Sequence, residues 1–328
     1  MNAGSTSLKL SLVDDEEQSQ AIERLEEARG RATAVGHRIV HGGARFRDPV
    51  VIDDAVEREL AALVDLAPLH ARPAIDAVDR ARRTLGDLPH VAVFDTAFHA
   101  TLPPEASAYA LPARLREELG IRRYGFHGLS VEWAAGCVQA PRLVVCHLGG
   151  GCSVSAVLDG RSVDTTMGFT PLEGVPMATR SGSVDPGALL YLQRNGYAGV
   201  DELERVLERE SGLLGLGGSE NPQELSGSAA LAVYAYRIAS AVGAMAVALG
   251  GLDALVFTAG VGEHSAEVRA LVCERLGFLG VELDVAANRA ARADADVAAE
   301  GSRVRVVVLH AREDVVAARA VRRTLAGR

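Results

Sequence analysis

Two arginines and one aspartate occupy positions at which their side chains could do chemistry. Arg38 interrupts the apolar strand pattern of residues 34–40, and a buried guanidinium needs a carboxylate or a phosphate beside it. Asp95 follows the apolar strand at residues 91–94, at the strand end where α/β sheets bind their ligands. Arg180 lies between small residues in a long irregular segment, from which it can reach out. Asp95 is therefore a candidate base or metal-side ligand, with a helix N-cap as the alternative, and Arg38 could instead form an internal ion pair.

Three segments rich in small residues offer backbone N–H groups to an anion. Residues 143–155 combine a strand, His147, three consecutive glycines at 149–151 and a second strand. The hydroxyls, amide and cation of residues 2–9 suit phosphate or a hydrated metal. Residues 260–262 lie between a strand and a helix, and a helix N-terminus behind a glycine turn is an anion site. The pattern suits a nucleotide held between two α/β domains, although an ordinary glycine-rich hairpin is the alternative for residues 143–155.

Two histidines lie in turns of definite shape. The tight turn at residues 123–128 presents Phe126 and His127. His70 lies in the loop at residues 67–73, which two prolines constrain, and it either lines a pocket or caps a helix.

Hydrophobic periodicity predicts the elements that carry these residues. The small residues of segment 2–9 predict a turn that leads into a strand at residues 8–13. Such a turn normally follows another strand, and that strand is expected to be missing before Asn2. Residues 14–29 are predicted to be a polar linker or a weak helix. A last strand is predicted at residues 303–310. Helices are predicted at residues 53–66, 74–85, 130–137, 186–195, 201–210, 229–249 and 314–325.

Composition limits the class of protein. A length of 328 residues favours two domains, and the net charge of −9 without a basic run argues against a nucleic-acid partner. The four cysteines form no zinc-type pattern and indicate reduced thiols in the cytoplasm. The apolar stretch at residues 238–257 indicates a packed helix and a strand rather than a membrane span, because Gly250 and Gly251 interrupt it. No Walker-type loop and no G-x-G-x-x-G turn after a strand is present.

Eight short motifs follow one another along nearly the whole chain. They are Asn-Ala-Gly-Ser-Thr-Ser-Leu-Lys at 2–9, Gly-His-Arg-Ile-Val-His-Gly-Gly at 36–43, Leu-Ala-Pro-Leu-His at 66–70, Phe-Asp-Thr-Ala-Phe-His at 94–99, Tyr-Gly-Phe-His-Gly at 124–128, His-Leu-Gly-x-Gly at 147–151, Gly-Phe-Thr-Pro-Leu-Glu-Gly at 168–174 and Thr-Arg-Ser-Gly-x-x-Asp-Pro at 179–186. Together they resemble the acetate kinase family. The resemblance implies an α/β fold with two similar domains of the sugar kinase/hsp70/actin (ribonuclease H-like) type around an interdomain cleft. It also implies reversible phosphoryl transfer from ATP to acetate, giving ADP and acetyl phosphate, with Mg²⁺ (or Mn²⁺) as cofactor.

The resemblance also implies a role for each matching residue. The catalytic residues would be Asp95, Arg38, Arg180 and His127. The acyl substrate would contact Arg38, Val40, Leu69, His70, Phe126 and Pro171. The nucleotide and its phosphates would contact Lys9, Ser5, Ser7, His147, Gly149, Gly150, Gly151, Gly260, Val261 and Gly262. The metal would be associated with Asn2 and Glu313.

Some positions depart from the family pattern. The family has asparagine at the positions of Gly150 and His264, and an adenosine-contacting Asp-x-Arg where this chain has residues 218–222. These differences leave open a kinase for propionate or butyrate, a pyrophosphate-dependent acetate kinase, and a non-catalytic member of the superfamily.

The domain organisation and the partners follow from the resemblance as well. A first domain is expected at residues 1–97 with the closing helix at 314–328, and a second domain, on the nucleotide side, at residues 98–313. The expected partners are small-molecule substrates and a second copy of the chain in a homodimer, for which the Ala/Gly-rich helix at residues 229–249 is suited. No nucleic acid and no membrane is expected.

Overall fold

The structure, a computed structural model, describes residues 1–3, 8–63 and 68–327, with the backbone alone for residues 3 and 68–71. The chain divides into two compact units. The first unit consists of Met1–Ala100, Phe126–Trp133 and Arg312–Arg328, and the second of Thr101–Gly125 and Ala134–Ala311.

Strands and helices alternate along much of the chain. The strands are β1 (Asn2–Ala3), β2 (Leu8–Val13), β3 (Ser19–Ile22), β4 (Val35–Ile39), β5 (Val50–Val51), β6 (His90–Phe94), β7 (Arg142–Leu148), β8 (Cys152–Leu158), β9 (Arg161–Thr165), β10 (Ala254–Thr258), β11 (Ala295–Asp296) and β12 (Arg305–Leu309). The α-helices are α1 (Asp54–Ala62), α2 (Pro68–Thr84), α3 (Pro104–Ser107), α4 (Ala113–Glu118), α5 (Gly128–Cys137), α6 (Pro186–Arg194), α7 (Val200–Arg209), α8 (Gly212–Gly217), α9 (Ala229–Leu249), α10 (Ala259–His264), α11 (Ala266–Glu274), α12 (Val285–Ala290) and α13 (Glu313–Ala326). Short 3₁₀ helices occur at Leu25–Ala28, Phe98–Thr101, Pro222–Leu225 and Gly277–Leu279.

Each unit is built on one mixed six-stranded sheet, and the two sheets have the same topology. The first sheet has the order β3-β2-β1-β4-β6-β5 and the second the order β9-β8-β7-β10-β12-β11. In the first sheet β3, β2 and β1 pair antiparallel, β4 and β6 continue it as parallel neighbours of β1, and the two-residue strand β5 forms an antiparallel edge. In the second sheet β9, β8 and β7 pair antiparallel, β10 and β12 continue it as parallel neighbours of β7, and the two-residue strand β11 forms an antiparallel edge. This repetition confirms the prediction of two similar α/β domains.

The composition of the central strands explains where they lie. Every residue of β6 and β10 is buried, as expected for parallel strands covered by helices on both faces. In the first unit, Val91 and Val93 on one face of β6 pack with Val316 and Ala320 of α13. Ile39 of β4 and Ala92 and Phe94 of β6 lie together in a second core cluster, so the residues at the carboxyl ends of both strands have defined positions.

The helix α9 was predicted with the correct bounds. Ser228 caps it by accepting a hydrogen bond from the Leu231 N–H, and Gly250, in the left-handed conformation, ends it. It is the one helix of the described residues that is long and apolar enough to cross a membrane, and half of its most apolar window is buried inside the protein. It packs on β7 and β8, as a core helix does.

Two sequence predictions near the start of the chain were wrong. Asn2–Ala3, predicted as part of a small-residue turn, forms a short strand in which Asn2 pairs with both Lys9 and Arg38. Residues 14–29 contain β3 and a 3₁₀ helix instead of a linker or weak helix. The polar sequence of β3 hides the strand, since it is an exposed edge strand with backbone pairing to β2 and little buried surface.

The predicted loop at residues 67–73 was also wrong, because α2 begins at Pro68 and continues through Pro73. A proline is tolerated in the first turn of a helix, and Pro73 removes one backbone donor without ending it. The buried contacts of Ala74, Ala77 and Val78 in the core outweigh that loss.

Three buried histidines are held in their neutral form. His37 Nε2 lies 2.9 Å from His90 Nδ1, and His90 Nε2 lies 3.1 Å from the Leu85 carbonyl, so both rings are internally hydrogen-bonded. Burial lowers the pKa of His37 and of His90. His99 Nε2 donates to the Phe126 carbonyl at 2.9 Å, and burial lowers the pKa of His99 to about 4.

These lowered pKa values predict that acid weakens the fold. Below about pH 6.5, the pKa of histidine in the unfolded chain, the unfolded chain binds protons while the folded histidines stay neutral. The free energy of unfolding is therefore highest above that pH and decreases as the pH falls towards 4. For His99 alone the loss at pH 5 is about 2 kcal/mol. Urea unfolding at pH 7.5 and pH 5 measures it. His264→Gln, at an exposed position, should leave the loss unchanged, and a free energy of unfolding that does not fall with pH would contradict the prediction.

Candidate functional site

A bidentate ion pair joins the ends of two neighbouring parallel strands in the first unit. Arg38 of β4 donates from Nε to Asp95 Oδ1 at 2.7 Å and from Nη2 to Asp95 Oδ2 at 2.5 Å. Asp95, directly after β6, is only 1% exposed. Burial opposes the charge of Arg38, but the carboxylates of Asp95 and Glu313 outweigh it and raise its pKa above the ordinary arginine value. The alternative of an internal ion pair is thus what the structure contains, and the pair lies at the ligand-binding end of the strands.

The remaining guanidinium nitrogen of Arg38 gathers the two residues expected near a metal. Arg38 Nη1 donates to Asn2 Oδ1 at 3.0 Å and lies 3.2 Å from Glu313 Oε2. Asn2 Nδ2 donates to the same Glu313 oxygen at 3.3 Å. Asn2 arrives there because β1 pairs with β4, and Glu313 because it opens α13. Four residues predicted from separate motifs therefore form one cluster.

The cluster suits Mg²⁺ by its chemistry. Mg²⁺ prefers oxygen ligands and is usually held by one or two carboxylates together with phosphate oxygens and water. Asn2, Asp95 and Glu313 supply amide and carboxylate oxygens. Within residues 1–3, 8–63 and 68–327, no group of three or more His, Cys, Asp or Glu side chains is placed to hold a metal without such help. The residues therefore fit an ion shared with a phosphate rather than a closed protein site.

The turn that carries His127 is tied to Asp95 through the backbone. The Gly128 N–H donates to the Asp95 carbonyl at 2.9 Å, and a Cβ atom on Gly128 would lie 2.1 Å from that oxygen. Phe126 is 1% exposed, and its carbonyl accepts the hydrogen bond from His99. His127 has a φ of +59°, in the left-handed region that costs a non-glycine residue energy. Gly128, the last residue of the Tyr-Gly-Phe-His-Gly motif, is thus required for close approach to Asp95.

Other predicted residues of the first unit are placed less completely. Lys9 lies exposed in β2, opposite Asn2 in β1, and Val40 directly follows β4. Ser5 and Ser7 lie outside the described residues. Leu69 and His70 belong to α2, and their side chains lie outside the described part of the structure.

Arg180 in the second unit is held by a carboxylate that sequence reasoning missed. Its Nε lies 3.0 Å from Glu208 Oε2, and both side chains are largely buried. Its Nη1 donates to the Pro171 carbonyl at 3.3 Å. The Thr179 hydroxyl donates to the Glu208 carbonyl at 2.8 Å, so the irregular segment lies along α7. No local pattern links Glu208 to Arg180, since they are far apart in sequence.

The glycine turn at residues 149–151 connects the paired strands β7 and β8. The Gly149 N–H donates to the Gly151 carbonyl at 3.0 Å, and none of the three glycines has a positive φ. A Cβ atom on Gly150 would meet no atom of the described residues within 4 Å. No left-handed conformation requires glycine at residues 149–151, and what these glycines provide is an open backbone.

A buried hydroxyl lies beside this turn in the adjacent strand. Thr258 ends β10 and pairs in register with His147 of β7, which is itself buried. Among the described residues, Thr258 Oγ1 has no hydrogen-bond partner. A buried hydroxyl without a partner is uncommon and suits a ligand or an ordered water.

Residues 260–262, expected as a glycine turn, lie instead inside the short helix α10. Arg269, 1% exposed, supports this helix from below by donating from Nη1 to the carbonyls of Gly262 and Glu263 at 2.8 and 2.9 Å. Its Nε donates to Asn288 Oδ1 at 2.7 Å, and burial lowers its pKa. Arg269 satisfies carbonyls at the end of α10 and so fixes its direction.

Comparison with known proteins identifies the family of this chain. The model of the Acetokinase family matches residues 20–319. The acetate kinase of Nostoc punctiforme is 48% identical over 314 residues, covering 90% of this chain and 76% of that protein. The acetate kinase of Leifsonia xyli is 47% identical over 304 residues, covering 87% of this chain and 77% of that protein.

Solved structures extend the likeness to the fold. The acetate kinase of Porphyromonas gingivalis has a TM-score of 0.85 at 32% identity, covering 97% of this chain and 90% of that one. A propionate kinase from Francisella tularensis has a TM-score of 0.83 at 36% identity, covering 88% of this chain and 78% of that one. These likenesses confirm the predicted fold, and the chain belongs to the acetokinase family.

Gly128→Ala should destabilise the protein, because its Cβ would press on the Asp95 carbonyl. Such overpacking costs about 1–3 kcal/mol in the free energy of unfolding, measured by urea denaturation. Gly150→Ala is the matched control, since its Cβ has open space, and its stability should stay within about 0.5 kcal/mol of wild type. Equal stability of the two variants would contradict the close approach.

The Arg180–Glu208 pair should show a coupling energy of about 1–3 kcal/mol in a double-mutant cycle of unfolding with Arg180→Met and Glu208→Gln. Burial makes the loss of one partner costly, because the other charge stays unpaired. The exposed pair of Arg205 and Glu210 beside it should couple by less than about 1 kcal/mol. Equal coupling in the two pairs would show that Glu208 does not hold Arg180.

Proposed function

We propose that this member of the acetokinase family is an acetate kinase, which transfers the terminal phosphoryl group of ATP reversibly to acetate. An acetate oxygen forms the new bond to phosphorus, the bond to the ADP oxygen breaks, and acetyl phosphate and ADP result. The observation that carries the proposal is the cluster of Arg38, Asp95, Asn2 and Glu313, which lies at the carboxyl ends of β4 and β6 with Asn2 of β1 beside Arg38. It supplies fixed positive charge and oxygen ligands at one place.

Phosphoryl transfer needs positioning and charge neutralisation more than covalent help. We infer that Arg38 and Arg180 bind the acyl carboxylate and the transferring phosphoryl group. Asp95 fixes the orientation of Arg38 through both carboxylate oxygens, so the guanidinium need not reorganise during the reaction. His127, presented in a strained turn, is assigned to stabilise the phosphoryl group in flight.

Magnesium is assigned to the same cluster. Asn2 and Glu313, with Asp95 beside them, would hold Mg²⁺ (or Mn²⁺), which when bound neutralises charge on the phosphate oxygens. The part of this chain is to supply the oxygens and to orient them, and Arg38 keeps Asn2 and Glu313 within hydrogen-bond distance of each other.

Substrate contacts are proposed from the matching motifs. Val40, Leu69, His70, Phe126 and Pro171 are assigned to the acyl group; of these, Phe126 and Pro171 are buried, as an apolar wall should be. For the nucleotide, the open backbone at residues 149–151 and the orphaned Thr258 hydroxyl offer donors on the second unit. The assigned nucleotide residues are Lys9, Ser5, Ser7, His147, Gly149, Gly150, Gly151, Gly260, Val261 and Gly262.

We infer a cytoplasmic homodimer for the assembled enzyme. Cys146, Cys152 and Cys273 are buried free thiols, which suit a reducing compartment. The outer face of α9 exposes Tyr236 and Val247, the latter at 82%, and an apolar helix face of this kind suits a second copy of the chain.

The assay is acetyl hydroxamate formation from acetate, ATP, Mg²⁺ and hydroxylamine. Wild type should form product, and Arg38→Ala should lose at least 100-fold in kcat/KM, because it removes the oriented charge and strands Asp95. Arg45→Ala, at a 71%-exposed side chain, is the control and should stay within about twofold.

Comparison of ATP, GTP and pyrophosphate as donors completes the test. ATP should be preferred by orders of magnitude. Product with pyrophosphate alone would remove ATP from the proposal, and no product with any donor would overturn the activity altogether.

A further inference from the structure

The turn at residues 169–173 carries Pro171 and belongs to no strand or helix. Pro171 is buried, and its carbonyl accepts a hydrogen bond from Arg180. Backbone outside regular structure keeps a defined shape only where other groups satisfy and hold it. The groups that hold this turn are side chains from elsewhere in the second unit.

The hydroxyl of Tyr109 joins the two feet of the turn. It accepts a hydrogen bond from the Phe169 N–H at 2.9 Å and donates its own proton to Glu173 Oε2. Phe169 and Glu173 flank the three residues that include Pro171, so one oxygen atom closes the turn. Burial, and then the hydrogen bond to Glu173, raise the pKa of Tyr109, which keeps the hydroxyl protonated and able to donate.

Arg123 completes the arrangement by neutralising the carboxylate. Its Nη2 donates to Glu173 Oε1 at 2.8 Å and its Nη1 to the Thr166 carbonyl at 2.8 Å. Its guanidinium also lies over the Tyr109 ring, 5.7 Å from the centroid. Both carboxylate oxygens of Glu173 therefore accept hydrogen bonds. Arg123 also binds Thr166, which lies between β9 and the turn.

Gly168 leaves the space that this contact needs. A Cβ atom there would lie 1.7 Å from Glu173 Oε2 and 2.1 Å from the Tyr109 hydroxyl. The Gly168 carbonyl accepts from the Tyr124 N–H at 3.0 Å, which places the residues after Arg123 against the turn. Sequence, backbone and side chains thus all favour one position of the Pro171 turn.

We propose that Tyr109, Glu173 and Arg123 are positioning residues that set the acyl-chain selectivity of the enzyme by holding the turn that carries Pro171. The inference rests on the proposed function, in which Pro171 contacts the acyl group. A turn held in one position leaves room for the methyl group of acetate but not for an added methylene, whereas a loosened turn can move aside for the longer acid. One methylene in an apolar pocket changes kcat/KM by about 10–200-fold, which is the range available to this device.

Tyr109→Phe tests the proposal, because it removes the shared oxygen and keeps the ring. The ratio of kcat/KM for acetate to that for propionate should fall by about 5–10-fold, mainly through KM for the acids, while KM for ATP stays within about twofold. Glu173→Gln should lower the ratio less than Glu173→Ala, since the amide still offers an oxygen. Tyr124→Phe is the control: its hydroxyl donates to the Gly120 carbonyl at 2.9 Å, and its selectivity should equal that of wild type.

Hydrogen exchange of the Phe169 amide gives a readout that does not depend on activity. In Tyr109→Phe this amide should exchange at least about tenfold faster than in wild type, because its acceptor is gone. Unchanged exchange, or faster exchange with unchanged selectivity in an active enzyme, overturns the inference. Wild type without transfer to any acid would instead overturn the proposed function and the selectivity with it. If Tyr109→Phe does not fold, Glu173→Gln serves for the selectivity measurement, and an unchanged ratio there overturns the inference.

Discussion

The site of the first unit depends on the buried pair of Arg38 and Asp95. Two parallel hydrogen bonds fix the guanidinium plane, and removing Arg38 would leave the buried Asp95 carboxylate without this positive partner. Asn2 and Glu313 collect on the nitrogen that Asp95 leaves available, and Gly128 binds the Asp95 backbone from behind. A positive charge oriented before substrate arrives is what phosphoryl transfer requires, because no reorganisation is then needed in the transition state.

The second unit also holds an arginine in a fixed orientation, on a sheet of the same topology but with different partner residues. Arg180 is oriented by Glu208 and by the Pro171 carbonyl, and the turn around Pro171 is held in turn by Tyr109 and Glu173. Arginine in both places is explained by its geometry, since a planar fork can be fixed by one partner and still present N–H groups to another. The orientation of each arginine therefore depends on the partner residues that hold its guanidinium group.

Sequence motifs were sufficient to identify the charged residues at the strand ends. Arg38 and Asp95 could be found because an arginine in an apolar strand and a carboxylate after one are costly unless used. The local structure predicted for one glycine segment was wrong, because residues 260–262 are helical rather than a turn. Glycine permits several conformations, so its presence marks a special position without saying which kind.

The sequence by itself determined the family, the two α/β units and the residues on the strand ends, because hydrophobic period and local motifs are short-range properties. Only the tertiary structure decided which side chains orient them. Glu208 beside Arg180 and Tyr109 across the Pro171 turn are contacts between residues far apart in the chain. Such contacts arise when packed elements meet and bury polar groups that must be paired, and no local pattern records that meeting.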